Sequence, residues 1–182
     1  MDFWQELDLN GFRAIHIGWH SSWLDVFFLV LSYTGIGQVQ LGANLLVYAW
    51  PKTRAFALPM LMAWLLSGLA NSIVKHGVER ERPSLLEWAI PQEPHKYSSF
   101  PSGHTVTSFA IAFLAVFYLW PTRWRWHSLG LLAWASLVGL SRIYRGVHWP
   151  TDVLGALGLG LATASLIAYL KPLDLKKVPQ NL

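Results

Sequence analysis

Six apolar stretches divide this chain, separated by polar breaks of unequal length. Trp23 to Tyr33 is apolar apart from Asp25 and Ser32, and Gly35-Ile36-Gly37 ends it. Val39 to Trp50, Ala55 to Val74, Thr105 to Trp120, Ser128 to Leu140 and Val153 to Leu170 follow. Ala55 to Val74 has the length of a membrane-crossing helix, about 20 residues, despite Pro59. The first two runs are short for a crossing, and they read as two short helices extended by their flanks rather than one long broken helix. Residues 1–20 scatter Phe3, Trp4, Leu7, Leu9, Phe12, Ile15 and Ile17 among polar residues at roughly helical spacing, which predicts an interfacial amphipathic segment. The whole pattern predicts an all-α, polytopic membrane protein of about six transmembrane helices. It forms one domain over 1–182, with a polar basic tail at 171–182.

Composition sharpens this picture. Hydrophobic residues make up 53% of the 182 and charged residues 13%, about half the charged share of a soluble domain. A soluble helical protein with a large core is the competing reading, and the spans and composition disfavour it. Trp19, Trp23, Trp50, Trp120, Trp124, Trp126 and Trp149 stand where spans end, as in an aromatic belt, whereas Trp64 and Trp134 fall mid-span as packing residues. The net charge of +4 is spread over short loops, which supports an anionic membrane surface or substrate and no nucleic acid. With no cysteine, disulfides and thiolate zinc sites are excluded. The first twenty residues lack the basic start and continuous apolar run of a cleaved signal peptide.

Loop charge sets the expected topology. Lys52 and Arg54 precede the third run, Arg123 and Arg125 follow the fourth, and Lys171, Lys176 and Lys177 lie in the tail. With six crossings all three regions share one side, which the positive-inside rule makes cytoplasmic. Two crossings then separate the polar clusters 75–104 and 141–152, so both fall on the outer face.

Those clusters carry the candidate chemistry. Lys75 ends the third run, and Arg82-Pro83 follows in the same polar segment. Taken singly, Lys75 is a residue that snorkels to headgroups and Arg82 is a loop charge. Pro101-Ser102-Gly103-His104 stands directly before the fourth run, where free N–H groups at a helix start suit a phosphate. Ser102 also suits a helix cap, and Gly103 admits close backbone approach. The third cluster, SRIYRGVHWPTD, places Arg142 after the fifth run and His148 before Pro150, a residue favoured in a first helical turn. Asp152, four positions beyond His148, can reach back to one imidazole nitrogen and leave the other to attack. Two histidines with a single obvious carboxylate make a poor metal site. Arg80 and Arg145 flank the motifs without separating themselves from headgroup-binding charges. His16, His20, His76, His95 and His127 read as structural or interfacial.

In order and spacing these clusters resemble the type 2 phosphatidic acid phosphatase superfamily: Lys75 with Arg82-Pro83, then Pro101 to His104, then Ser141-Arg142 with His148 and Asp152. The resemblance implies a metal-independent, cofactor-free phosphohydrolase of membrane lipids. It makes His148 the nucleophile of a phosphohistidine intermediate, oriented by Asp152, and His104 the acid for the leaving oxygen. Lys75, Arg82 and Arg142, with Ser102 and Gly103, would hold the phosphoryl oxygens. Phosphoryl transfer needs mainly positioning and charge stabilisation, and three cations beside a helix start supply both.

A site at the membrane surface implies a lipid phosphate as substrate and membrane lipids as partners. The resemblance offers undecaprenyl diphosphate and phosphatidylglycerol phosphate first, with phosphatidic acid and lipid A phosphate as alternatives. It implies a multi-pass protein of the inner (cytoplasmic) membrane whose site faces the periplasm or cell exterior. Soluble acid phosphatases and vanadium haloperoxidases share the motifs, but the apolar runs argue against them. A non-catalytic lipid-binding protein would need no histidine pair. The oligomeric state stays open.

Overall fold

The computed structural model describes residues 2–94 and 98–173, and every regular element among them is helical. His95, the end of the tail and its Lys176 and Lys177 lie outside the described residues. In chain order the helices are α1 (Phe3–Phe12), α2 (Ser22–Thr34), α3 (Gly37–Ala49), α4 (Arg54–Gly77), α5 (Gly103–Leu119), α6 (Arg125–Tyr144) and α7 (Pro150–Leu170). A π-helical turn, Arg13–Ile17, continues α1, and the chain bends by 116° before α2.

Two helices, α4 and α7, are long and apolar enough to cross a membrane, and the bent pair before α3 makes a third candidate. The short runs 23–33 and 39–50 are indeed two helices, broken at Gly35. Pro59 sits inside α4 without interrupting it. The fifth run extends further than expected: α6 continues through Tyr144, so Arg142 lies in its last turn rather than after it. The helix can continue because Ser141 and Arg142 turn inward, both buried, and find polar partners there.

The middle of the fold is α5, which packs against α7, α6 and α4. Ten of its 17 residues are buried. Gly160 lets α7 approach α5 closely, because a Cβ there would stand 2.9 Å from the Val106 carbonyl oxygen. Ala63, Ala110, Leu114, Tyr118, Ala164 and Ile167 form one buried cluster between α4, α5 and α7. The first turns of α5 and α7 are thereby fixed side by side, and the Ser102 N–H donates to the Asp152 carbonyl at 3.3 Å.

At the other end of the chain, α1 is started by a capping box in which the Asp2 carboxylate accepts from the Gln5 N–H at 2.8 Å. Its exposed residues include Phe3 and Trp4. The stripe that α1 and the π-helical turn after it bury is Asp8, Phe12 and His16, which is more polar than the apolar spacing of residues 1–20 suggested.

Candidate active site

The turn after α6 delivers His148. Gly146 adopts φ +79°, a left-handed conformation that favours glycine, and the chain reverses there. The Val147 and His148 N–H groups then both donate to the Arg142 carbonyl, at 3.2 and 3.3 Å. His148 is left 3% exposed, and Pro150 opens α7 immediately afterwards.

Asp152, in the first turn of α7, is wholly buried and accepts four hydrogen bonds. One carboxylate oxygen takes the His148 Nδ1–H at 3.2 Å, the Trp149 N–H at 2.8 Å and the Ser99 hydroxyl; the other takes Arg80 Nη1 at 2.6 Å. Donation from Nδ1 fixes the tautomer and puts the imidazole lone pair on Nε2, which faces Arg82 Nη1 at 3.4 Å. Burial pushes the His148 imidazole down to about 3 although Asp152 pulls it upward, and Arg142 and Arg82 add to the depression. At neutral pH the ring is therefore uncharged, the form a nucleophile needs.

Two cations converge on one carbonyl. Lys75 Nζ and Arg82 Nη2 both donate to the Ser98 oxygen, at 2.8 and 3.1 Å, while Arg82 Nη1 donates to the Val147 oxygen at 2.7 Å. Burial lowers the Arg82 pKa, and Asp152 and Glu93 partly offset that. Arg142, 1% exposed, donates to the Ser32 hydroxyl and to the Glu93 carboxylate. The same carboxylate receives Arg145 at 3.4 Å.

The Pro101-to-His104 segment leads into α5, and its Ser102 N–H meets the Asp152 carbonyl. Ser102 occupies the N-cap position of α5 but does not cap it with its side chain; the hydroxyl accepts instead from Thr105 Oγ1 at 2.8 Å. Capping therefore does not account for this serine. Gly103 lies so close to Asn71 that a Cβ would meet its Nδ2 at 3.2 Å. His104 lines a cavity of about 380 Å³ with Gly103, Thr107, Gly35 and Trp64. No group of three or more metal-ligating side chains stands together among the described residues.

Lys75, Arg82, Arg142, His148 and Asp152 are thus joined by direct bonds or by mutual charge, and Ser102 is docked on the Asp152 backbone. His104 is placed on the cavity wall at the start of α5. The sequence did not single out Ser99, Glu93, Ser32 or Asp8. For Asp8 a signal existed: an acidic residue between Leu7 and Leu9, one helical turn before Phe12. Arg80, left undecided with Arg145, proves to bond Asp152 directly. Among the other histidines, His16 is structural, bonding the Tyr144 carbonyl at 2.7 Å and the Ile90 N–H at 3.0 Å.

Residues 56–175 match the profile of the PAP2 superfamily. The chain belongs to that superfamily. With its relatives it is a phosphate-ester hydrolase. It is 29% identical over 181 residues to the bacitracin transport permease protein BcrC of Bacillus licheniformis, covering 92% of this chain and 82% of that one. It is 28% identical over 165 residues to an undecaprenyl-diphosphatase of Sulfolobus acidocaldarius, covering 87% and 77%. The crystal structure of a transmembrane PAP2-type phosphatidylglycerolphosphate phosphatase from Bacillus subtilis superposes with a TM-score of 0.77 at 26% identity, covering 98% of this chain and 89% of that one.

Proposed function

We propose that the protein is an integral membrane phosphatase that hydrolyses a lipid phosphate or diphosphate through a phosphohistidine on His148. The observation that carries this is the buried His148, held at Nδ1 by Asp152 and turned at Nε2 toward the Arg82 guanidinium. A phosphoryl group bound by Lys75, Arg82, Arg142 and the N–H groups at the start of α5 would present phosphorus to Nε2. The P–O bond to the lipid or leaving phosphate breaks as the P–N bond forms, and His104 gives its proton to the departing oxygen. His104 then takes a proton from water as that water attacks the phosphohistidine, releasing inorganic phosphate and restoring both histidines. No cofactor enters these steps.

Helices α2 to α7 provide six crossings in this reading, with α2 and α3 spanning a locally thinned region because 13 residues rise only about 20 Å. The loops with Lys52, Arg54, Arg123 and Arg125 then lie in the cytoplasm, and the site opens at the periplasmic or exterior face of the inner membrane. The His104 cavity has several apolar wall residues, Trp64, Leu65 and Leu69 among them, which suits the start of a lipid chain. Undecaprenyl diphosphate and phosphatidylglycerol phosphate are the proposed substrates, in keeping with the names of the relatives.

Phosphate release by the purified protein from a panel of these two lipids, phosphatidic acid and a lipid A phosphate, in EDTA, tests the proposal. Turnover inhibited by vanadate is expected. Activity that appears only with a divalent ion, or none on any lipid phosphate, would contradict it.

A further inference from the structure

Asp8 is 4% exposed, on a helix whose neighbouring residues are mostly exposed. A buried carboxylate requires partners, and all of its partners belong to the surroundings of the nucleophile. One oxygen accepts the Thr151 N–H at 2.9 Å; the other accepts the Thr151 hydroxyl at 2.7 Å and Arg80 Nη2. The second guanidinium nitrogen of Arg80 donates to Asp152 at 2.6 Å. One arginine thus joins two buried carboxylates, that of α1 and that of the His148 partner.

The rest of the inward stripe of α1 reaches the same neighbourhood. Phe12, one turn on, packs on the Trp149 ring with centroids 5.4 Å apart, and His16 bonds the Tyr144 carbonyl. Three residues spaced four apart on the N-terminal segment therefore meet the chain on both sides of His148, between 144 and 151.

We infer that Asp8 is a positioning residue for the His148–Asp152 pair, acting through Arg80 from the N-terminal helix. The Asp152 oxygen that Arg80 holds is not the one that His148 uses, so Arg80 sets the rotation of the carboxylate and hence the aim of the imidazole. Asp8 divides the charge of Arg80. Without it the guanidinium turns wholly to Asp152 and competes with His148 for that carboxylate. An N-terminal helix whose outer face reads as an interfacial anchor is, on its inner face, part of the catalytic apparatus.

This inference rests on His148 as the nucleophile, and the two are separable by experiment on the full chain in lipid nanodiscs. Asp8→Asn is expected to lower kcat about tenfold and to leave KM within about twofold, as loss of an orienting partner does. Asp8→Glu should restore at least part of that loss. In an Arg80→Gln background the further change Asp8→Asn should alter kcat by less than about twofold, because the path is already cut. A full tenfold loss in that background would mean that Asp8 merely fastens α1 to α7, and would overturn the inference.

A second measurement needs no turnover. The ¹⁵N spectrum of the His148 ring, assigned by its absence in His148→Ala, should show one Nδ1-protonated tautomer in the wild type and a mixture in Asp8→Asn. An unchanged tautomer overturns the inference. Failure of the wild type to release phosphate would count against the proposed reaction and leave this spectral test intact.

Discussion

A single carboxylate oxygen of Asp152 stands 3.2 Å from Nδ1 of His148 and 2.8 Å from the Trp149 backbone nitrogen, so the group that orients the imidazole also starts the helix beneath it. Acidic side chains at this position satisfy a free N–H and complement the helix dipole. Placement of the His148 ring and folding of α7 are consequently not separate matters.

Replacement of Asp152 by asparagine should therefore affect both. The amide can still meet the Trp149 N–H, but it no longer enforces the Nδ1–H tautomer of His148. A loss of phosphate release on the order of 10⁴-fold is expected, comparable to the same change in other imidazole–carboxylate pairs. Melting temperature should fall as well, because Arg80 and Ser99 lose their charged acceptor. Activity within tenfold of wild type would show that His148 is aimed by something else.

Stability should depend on pH through His148. Its folded-state value is about 3, against an ordinary 6.5. Between these limits the unfolded chain binds a proton that the folded chain refuses, so the folded state loses stability as pH falls from 6.5 toward 3 and gains it as pH rises. The slope from this group is at most about 1.4 kcal/mol per pH unit. Melting temperatures in detergent from pH 7 to pH 4 check this: His148→Ala should flatten the decline, and an identical decline in both proteins would contradict it.

Much of this was visible beforehand, for a physical reason. The apolar runs are long, and the motif residues are ionisable groups that an apolar setting makes conspicuous. His148 and Asp152 were legible as a pair because four residues at the start of a helix bring side chains onto one face. Glu93, Ser32 and Asp8 were not, because each meets its arginine across more than 45 residues of chain and lies outside any local period. The last turn of α6 was missed for a related reason. Its Arg142 reads as a helix-ending charge until its buried partners are known.

Glu93 gives a prediction of its own. Its carboxylate holds both Arg142, which is 1% exposed, and Arg145. Glu93→Gln removes a negative charge that a buried guanidinium holds, a change that costs about 2–4 kcal/mol after allowance for the partial exposure of Glu93. An oxyanion in the site can take over that charge. Orthovanadate should therefore raise the melting temperature of Glu93→Gln by more than that of the wild type. An equal or smaller rise would show that the bound anion does not reach Arg142.

The covalent intermediate offers the most direct measurement. Protein mixed with a lipid bearing a ³²P-labelled terminal phosphate and quenched within one turnover should carry label that is stable to base and lost in acid, as a phosphohistidine is. Peptide mapping should place it on His148, and His148→Ala should carry none while remaining folded and monodisperse in detergent. Label on another residue, or phosphate release by His148→Ala at near the wild-type rate, would contradict the account.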